Sequence, residues 1–365
     1  MITKPTILIL VGITGDLAKR KLLPAIEGLQ EKGLLPEQFK LVGVTRRDDP
    51  ELFKMDLDNA DDYLRLKEYL ENIEKEWPSS AKATAGEGFQ RLFYLSVAPT
   101  VSMPIIEHLG KAGLVTPDTK LMLEKPFGTD LENGTELIEN ISKYFSDEQV
   151  YRIDHYLAKD SVRALASQQI ALHDLKEIEV FASEKIGIEG RGDFYEQTGA
   201  LRDFIQSHLL EVAAMVISPN NRLAALKNFF IPDAVTDNVK RGQYIGYREA
   251  VEKPDSVVET FVSVSLQSHD PALSGISMTL KSGKALDKKS TDISIFYKDE
   301  TTEVISLNDA SNAYENVFED AMNGNKEFFV TKEEVLENWR IIAPIQEAWT
   351  ADDSDLILYE QGSSM

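Results

Sequence analysis

The segment TILILVGITGDLAKRK (Thr6–Lys21) sets the architecture of the N-terminal half of this chain. Its uninterrupted apolar run, Ile7 to Val11, predicts a buried strand of a parallel sheet. Gly12 and Gly15 predict a tight turn, and a helical pattern then runs from Asp16 to about Gln30. Such a strand–turn–helix unit presents backbone N–H groups to the pyrophosphate of a dinucleotide. Because the segment has only two glycines, a plain turn before a helix remains the alternative.

The alternation that starts in this segment continues through residues 1–150. Apolar strand-like runs alternate with helical patterns, which predicts a Rossmann-like α/β domain that binds a dinucleotide. Further strands are predicted at 41–45, 92–96 and 120–123, and further helices at 50–76, 101–111 and 131–145.

Residues 151–350 have a different texture and predict an α+β domain with a largely antiparallel sheet. The predicted strands are 177–184, 257–267, 275–281, 291–297 and 302–307. The predicted helices run from Tyr156 to about His173, from Gly199 past Val216, and over 313–322 and 332–349. Residues 351–365 form an acidic tail that we expect to be loosely held.

Composition excludes several classes of protein. The 365 residues contain 39 Lys and Arg, 61 Asp and Glu, and no Cys, so the formal charge is −22. The lack of Cys excludes disulfides, thiolate metal sites and a cysteine nucleophile, and the histidines lack metal-ligand spacing. The acidic balance argues against a nucleic-acid surface. The early apolar run is too short for a signal peptide or a membrane span, so we expect a soluble, cytoplasmic protein with no membrane partner.

The end of the second predicted strand bears on cofactor choice. Folds that bind NAD usually place an acidic residue there for the ribose hydroxyls. This chain has Thr45, Arg46 and Arg47 instead, and arginine pairs well with a 2′-phosphate. We therefore expect NADP, with NAD as an alternative cofactor and a solvated arginine turn as the structural alternative.

A Glu-Lys-Pro-Phe-Gly motif, Glu124–Gly128, follows the strand at 120–123. It lies at the carboxyl edge, where α/β sheets bind ligands. Pro126 restricts Lys125 to an extended conformation and can itself be preceded by a cis peptide bond. Lys125 could orient a hydroxylic substrate beside a nicotinamide, or it could be a surface lysine before a turn.

A third motif, Arg152–Lys159, has the sequence RIDHYLAK. If the segment from His155 is helical, His155 and Lys159 share one face. These two cationic groups and the Tyr156 hydroxyl would then form a phosphate cradle. Asp154 stands at the predicted strand–helix junction, where an N-cap is the structural alternative to a catalytic role.

A buried histidine is predicted in the helix that starts at Gly199. An apolar stripe with helical spacing comprises Leu201, Phe204, Ile205, His208, Val212 and Met215. His208 therefore lies on the buried face, either as a satisfied core residue or as a general base beside a carboxylate.

Together these motifs resemble the glucose-6-phosphate dehydrogenase family. The motifs GITGDLAKRK, LFYLSVAPTV, EKPFG, YRIDHYLAK, EGRGDFY and RDFIQSHLL occur in the family's order, and SGKAL (282–286) resembles a later substrate-binding stretch. The resemblance implies oxidation of glucose 6-phosphate at C1 to 6-phosphoglucono-lactone, with hydride transfer to NADP. This reaction is the first step of the oxidative pentose phosphate pathway.

The resemblance also implies roles for individual residues. His208 matches the general base, and Asp154 matches the carboxylate that orients it. The implied substrate ligands are Lys125, His155, Tyr156, Lys159, Glu184, Asp203, Lys284 and Lys289. The implied cofactor ligands are Gly12, Thr14, Gly15, Lys21, Arg46, Arg47 and Lys125. No metal is implied.

The chain departs from the family in length. It is well over a hundred residues shorter than most members, with material missing between Lys159 and Glu184, after His208 and around 307–313. The last gap falls in the sheet domain that builds the family's dimer interface. The sequence therefore leaves open whether this chain forms a homo-oligomer. Ile13 also replaces a usually small residue in the glycine turn.

Two alternative functions remain at this point. The first is a glucose–fructose oxidoreductase-like dehydrogenase of a non-phosphorylated sugar, which would not be expected to carry the phosphate ligands between His155 and Lys159. The second is a catalytically silent NADP-binding redox sensor, which would be expected to have lost the base or the phosphate ligands.

Overall fold

The apolar run that begins at Thr6 forms a central strand of a six-stranded parallel sheet. The computed structural model describes residues 4–77, 88–168, 170, 172–232, 235–309, 312–351 and 354–365. The strands of this sheet are β1 (Thr6–Val11), β2 (Phe39–Thr45), β3 (Phe53–Lys54), β4 (Gln90–Leu95), β5 (Thr119–Glu124) and β6 (Val150–Ile153). Their order, β3-β2-β1-β4-β5-β6, is that of a doubly wound Rossmann domain, and the predicted α/β fold is confirmed.

Helices connect these strands largely where the periodicity predicts them. Residues 16 and 17 are helical, a π-helical turn follows at Ala18–Leu22, and an α-helix continues over Leu23–Glu31. The other connecting helices are Ala60–Glu76, Pro99–Lys111 and Leu131–Ser142, and Ala313–Asn323, from later in the chain, packs against Leu23–Glu31. The helix predicted from residue 50 starts ten residues later, because Phe53 and Lys54 pair as β3 and the Asn59 side chain caps the helix by accepting from the Asp61 N–H.

Eight strands form a second sheet. They are β7 (Leu175–Ser183), β8 (Phe229–Phe230), β9 (Val239–Tyr244), β10 (Phe261–Ser268), β11 (Ser277–Gly283), β12 (Ser290–Tyr297), β13 (Thr302–Ser306) and β14 (Leu356–Tyr359). The order is β13-β12-β7-β11-β10-β9-β14, with β8 beside β10. The pairs β7–β11 and β9–β14 are parallel and the other pairs are antiparallel. The predicted α+β fold with a largely antiparallel sheet is confirmed.

The helices around this sheet differ most from prediction after Asp154. They are Asp160–Leu165, Gly192–Ala200, a π-helix over Leu201–Leu209, Leu210–Ile217, Arg222–Asn228, Val235–Asn238, Tyr247–Ala250 and Lys332–Ala351. The helix predicted from Tyr156 to about His173 is wrong. Asp154 Oδ1 accepts from the Tyr156 N–H at 2.7 Å, and this side-chain turn competes with a helix. Lys159 is extended, so the helix begins only at Asp160.

Contacts between Cα atoms divide the chain into two compact units. Unit 1 comprises Met1–Phe127, Thr135–Ala158 and Asn312–Lys332, and unit 2 comprises Gly128–Gly134, Lys159–Ser311 and Glu333–Met365. The division into domains at residues 150 and 350 stays a prediction. The described part of the chain contains no helix with both the length and the apolar character that a membrane span requires.

The C-terminal segment is part of the second sheet. β14 pairs in parallel with β9 from Leu356–Arg241 to Tyr359–Tyr244, and Tyr359 is buried. The expectation of a loosely held tail is therefore wrong for residues 356–359, because the apolar run LILY supplies an edge strand.

Candidate active site

The glycine turn after β1 opens a cleft in unit 1. Gly12 has a φ of +87°, and a Cβ there would lie 2.3 Å from the Ser96 carbonyl oxygen, so only glycine fits. The Gly15 N–H closes the turn by donating to the Gly12 carbonyl at 2.9 Å. The cleft has a volume of about 270 Å³ and lies at the carboxyl ends of β1, β2 and β4, where the strand order reverses. This is the position at which doubly wound sheets bind dinucleotides.

Four of the predicted cofactor residues line this cleft. They are Gly12, Thr14, Gly15 and Arg46. Lys21 and Arg47 are outside its lining within the described residues, and both are exposed. The Arg47 N–H donates to Thr45 Oγ1 at 3.1 Å, which holds the backbone after β2. Arg46 is exposed and lines the cleft, so it is the candidate for binding a 2′-phosphate.

A second, more open cleft of about 480 Å³ shares Arg46 with the first. Its other lining residues are Lys54, Met55, Asp56, Asp62 and Arg65. Lys54 and Arg65 lie outside the glycine and arginine motifs, so the sequence alone does not indicate that they line a cleft.

Ile13 fits into the turn because the neighbouring strand has a glycine opposite it. Ile13 is buried, and a Cβ on Gly43 of β2 would lie 2.4 Å from Ile13 Cδ1 and 2.7 Å from Leu52 Cδ2. The bulky residue in the glycine turn therefore packs against a glycine, and the turn keeps its shape.

Glu124 and Lys125 stand at the carboxyl end of β5. The Tyr94 hydroxyl donates to the Glu124 carboxylate, and the Tyr314 hydroxyl also bonds to it. Burial raises the pKa of Glu124 to about 7, against the opposing effects of both hydroxyls and of Lys125. The peptide bond from Lys125 to Pro126 is cis, as the motif allowed. Glu124 belongs to the Glu-Lys-Pro-Phe-Gly motif, but the motif alone does not predict a role for it.

The segment after β6 places three predicted residues in a turn. Asp154 and Tyr156 are almost fully buried, and the His155 ring lies 5.1 Å from the Tyr156 ring and 6.4 Å from the Tyr314 ring. Asn316 Nδ2 donates to the Ala158 carbonyl at 2.9 Å. The helix Ala313–Asn323 thus fixes this turn from far along the chain.

The predicted shared helical face of His155 and Lys159 is wrong, because residues 155–158 form a turn and Lys159 is extended. In unit 2, Lys159 Nζ donates to the Leu307 carbonyl at 2.7 Å. The Ser161 N–H donates to Asp309 Oδ2 at 3.0 Å, so residues 307–309 hold the start of this helix. Whether Lys159 contacts a phosphate stays a prediction.

A buried carboxylate caps the π-helix that carries His208. Glu259 Oε1 accepts from the Leu201 N–H at 2.8 Å, and the Glu259 carbonyl accepts from the Ala200 N–H at 3.0 Å. Gly199 has a φ of +62°, and a Cβ there would lie 2.3 Å from Glu259 Oε1. Burial raises the pKa of Glu259 to about 7, while the Leu201 N–H acts in the opposite direction.

His208 is buried, as the stripe predicts, although the helix has a different pitch. It is 1% exposed, and its ring makes a T-shaped contact with Phe204 at 5.7 Å. Hydrogen bonds of a π-helix join residues five apart, which brings Asp203 and His208 to nearly the same side. In an α-helix, residues five apart point about 140° away from each other.

Glu184, Asp203 and Lys284 gather around the buried ring of Tyr195 in unit 2. The Lys284 ammonium pairs with the Glu184 carboxylate and lies 5.1 Å from the centre of the Tyr195 ring. Burial, and then the charges of Asp203 and other carboxylates including Glu184, raise the pKa of Tyr195 well above its usual range. Lys289 is exposed at the end of the loop that starts at Lys284.

Comparison with known protein families decides what this arrangement belongs to. Residues 9–51 and 50–164 match the NAD-binding domain of glucose-6-phosphate dehydrogenase, and residues 165–312 and 302–365 match its C-terminal domain. The chain belongs to the glucose-6-phosphate dehydrogenase family. The resemblance drawn from the motifs is confirmed, and neither alternative function is favoured.

Individual members of the glucose-6-phosphate dehydrogenase family match over most of the chain. Glucose-6-phosphate 1-dehydrogenase of Chlamydia pneumoniae is 28% identical, with 99% of this chain and 93% of that protein covered. The enzyme of Mycolicibacterium smegmatis is 31% identical, with 80% and 71% covered. A solved glucose-6-phosphate dehydrogenase in complex with its substrate glucose-6-phosphate has a TM-score of 0.87 at 24% identity, with 100% and 96% covered.

The alignment with the Chlamydia pneumoniae enzyme also measures the shortening. It spans 483 positions, whereas this chain has 365 residues. More than a hundred aligned positions therefore have no residue in this chain.

Proposed function

We propose that this chain oxidises glucose 6-phosphate at C1 and transfers the hydride to NADP, which yields 6-phosphoglucono-lactone. The observation that carries the proposal is that both domains of one enzyme family match, in order, along the whole chain. A family member solved with glucose 6-phosphate shares the fold. The reaction is the first step of the oxidative pentose phosphate pathway.

The residues of the first cleft fit a dinucleotide phosphate. Gly12 leaves no room for a side chain against the Ser96 carbonyl, so a pyrophosphate can approach the backbone of Gly12, Thr14 and Gly15. The exposed guanidinium of Arg46 suits the 2′-phosphate of NADP. When bound, the nicotinamide accepts the hydride. We further propose that Lys21, Arg47 and Lys125 contact the cofactor.

We assign His208 as the general base that takes the proton of the C1 hydroxyl. Its burial supports this role, because water does not compete for a buried imidazole. We assign Asp154, also buried, as the carboxylate that orients this base and stabilises the imidazolium. A positioned base is typically worth about 10²–10⁴-fold in rate.

The remaining family positions are assigned to the substrate. We propose that the phosphate is bound by His155, Tyr156 and Lys159. We propose that the sugar hydroxyls are bound by Lys125, Glu184, Asp203, Lys284 and Lys289. The lysines among them would also interact with the negative charge of the substrate. The ion pair between Glu184 and Lys284 supports this grouping, because it sets a donor and an acceptor side by side.

A turnover assay tests the proposal. Purified protein with a metal chelator present would receive glucose 6-phosphate or free glucose, each with NADP or NAD, while the absorbance of the reduced nicotinamide is followed. We expect rapid turnover of the phosphorylated sugar only, with NADP preferred if Arg46 binds the 2′-phosphate. Turnover of free sugars alone would favour an oxidoreductase of the glucose–fructose type. NADP binding without any turnover would favour a sensor.

Assembly and location stay predictions. We propose a cytoplasmic enzyme that has no nucleic-acid partner and that can form a homo-oligomer. Light scattering of the purified protein would measure the oligomeric state.

A further inference from the structure

The backbone of Lys284 is fixed by Thr260, which directly precedes β10, and by Tyr359 of β14. Its N–H donates to the Thr260 carbonyl at 2.9 Å, and its carbonyl accepts from the Tyr359 hydroxyl at 2.8 Å. Tyr359 lies in β14, 75 residues further along the chain. The C-terminal strand therefore contacts the first residue of the loop 284–289, which we call the substrate-lysine loop.

A directed chain of hydrogen bonds leads to this contact. The Tyr244 N–H donates to Thr260 Oγ1 at 2.9 Å, and Thr260 Oγ1 lies 2.8 Å from the Tyr359 hydroxyl oxygen. Because the single proton of the Tyr359 hydroxyl goes to the Lys284 carbonyl, Thr260 Oγ1 donates its own proton to Tyr359. Such chains strengthen one another in a buried setting, and Thr260 and Tyr359 are both buried.

The residues after Tyr359 hold the rest of the substrate-lysine loop. The Gly362 N–H donates to the Ala285 carbonyl at 2.7 Å, and the Asp287 N–H donates to the Ser363 carbonyl at 3.2 Å. Ala285 has a φ of +52°, a conformation that is unfavourable for alanine and persists only where the surroundings enforce it. The C-terminal segment supplies part of that enforcement.

We propose that Tyr359 is a positioning residue for Lys284, so that the C-terminal strand sets the affinity for the anionic sugar substrate. The inference rests on the proposed function, in which Lys284 binds glucose 6-phosphate. The Lys284 ammonium is buried between the Glu184 carboxylate and the Tyr195 ring, so a shift of its backbone moves the charge within a confined space. The cofactor cleft is lined by residues of unit 1, so its affinity for NADP should not depend on Tyr359.

The test compares Tyr359→Phe with Tyr247→Phe. Both variants lose one hydroxyl from the same buried aromatic cluster, but the Tyr247 hydroxyl donates to Glu196 and not to the loop. In Tyr359→Phe we expect the KM for glucose 6-phosphate to rise about tenfold, because the Lys284 carbonyl loses its donor and the lysine is no longer held in place. We expect the KM for NADP to stay within about twofold. Tyr247→Phe should change neither constant.

Three results would overturn the proposal. They are an unchanged KM for glucose 6-phosphate in folded Tyr359→Phe, an equal rise of that KM in Tyr247→Phe, and a parallel rise of the KM for NADP. If Tyr359→Phe does not fold, Gly242→Ala replaces it, because the added Cβ would lie 3.1 Å from Tyr359 Cδ1 and push the ring. The same split between the two constants is then expected.

Calorimetry separates a failure of this inference from a failure of the proposed function. Wild-type protein is assayed first, and its inactivity towards glucose 6-phosphate would count against the proposed function. Binding of glucose 6-phosphate without cofactor is then measured for the same proteins. Weaker binding by Tyr359→Phe alone would support the inference even without turnover, whereas equal binding by the three proteins, or binding by none, would overturn it.

Discussion

Two π-helical segments, one in each unit, differ in what lies at the N-terminal end of the helix. The segment Ala18–Leu22 belongs to a helix that begins at Asp16, directly after the glycine turn of β1, and the Asp16 carboxylate pairs with Arg20. The π-helix at Leu201–Leu209 is capped by Glu259, whose carboxylate accepts from the Leu201 N–H. In unit 2 an N-terminal N–H group is therefore already bonded by the protein, whereas in unit 1 the glycine turn before the helix lines the cleft, where an anionic ligand can approach backbone N–H groups.

Under the proposed function, this difference separates a binding role from a catalytic role. Under the proposed function, the glycine turn and the helix that follows it in unit 1 bind the cofactor phosphates. In unit 2 the first N–H group of the π-helix is bonded by Glu259, and under the proposed function this helix places His208 and Asp203. The proposed function therefore assigns binding to the segment in unit 1 and chemistry to the segment in unit 2, and each role can be tested by a substitution that leaves the other role intact.

The largest expected effect is on the chemical role of the unit 2 helix. His208→Asn should lower kcat by about 10²–10⁴-fold because the general base is lost, while the Kd for NADP stays unchanged. Steady-state kinetics and cofactor titration measure the two quantities. His269→Asn is the control, since His269 is exposed and stacks on Phe230. Retained turnover in His208→Asn would remove the catalytic role from this helix.

The next effect concerns the binding role of the glycine turn. Gly12→Ala should weaken NADP binding by about a hundredfold, because the new Cβ would lie 2.3 Å from the Ser96 carbonyl and the φ of +87° disfavours alanine. Gly33→Ala is a matched control, because Gly33 has a φ of +67° but open space around it. Equal NADP affinities in the two variants, measured by fluorescence titration, would mean that the turn does not hold the cofactor.

A smaller effect is expected at the substrate phosphate. Lys159→Ala should raise the KM for glucose 6-phosphate about tenfold with little change in kcat, because a contact common to ground and transition states is lost. Steady-state kinetics beside Lys227→Ala, which removes an exposed lysine from a helix, supply the comparison. An unaffected Lys159→Ala enzyme would make the phosphate assignment wrong.

The smallest effect is confined to stability and probes the capping carboxylate. Burial raises the pKa of Glu259 from 4.5 to about 7, so the folded state binds its proton more tightly than the unfolded state does. This contribution to the free energy of unfolding is complete below pH 4.5 and is lost as pH rises through 7. Relative to Glu259→Gln, the wild-type protein should therefore lose about 2 kcal/mol across that range.

Urea unfolding of both proteins from pH 4.5 to 8 would measure this difference. Glutamine keeps an oxygen for the Leu201 N–H, so the cap itself is retained. Glu249→Gln, at an exposed position, keeps Glu259 and should follow the wild-type protein across the pH range. A free energy of unfolding of the wild-type protein that stays constant or rises with pH, relative to that of Glu259→Gln, would contradict the raised pKa.

The sequence predicts unit 1 well because its signals are local. Strands buried on both faces read as continuous apolar runs, as in β1, and ligand-binding residues follow directly after the strands that position them. Gly12, Arg46 and Lys125 could therefore be singled out from neighbouring residues alone.

The structure adds what depends on distant parts of the chain. Glu259 caps Leu201 across 58 residues, and Tyr359 bonds Lys284 across 75, so neither contact leaves a periodic pattern. The helix predicted after Asp154 fails for another reason, because one carboxylate bonds the Tyr156 N–H and outcompetes the helical pattern. The π pitch of Leu201–Leu209 is likewise absent from an apolar stripe read with α-helical spacing.

The central claim is that this chain moves the hydrogen of C1 of glucose 6-phosphate to NADP, and label transfer tests it most directly. The wild-type protein would be incubated with glucose 6-phosphate deuterated at C1 and with NADP, and both products would be analysed by mass spectrometry. We predict one deuterium in the reduced cofactor and an unlabelled 6-phosphoglucono-lactone or its hydrolysis product. Reduced cofactor without deuterium, or no reduced cofactor at all, would contradict the claim.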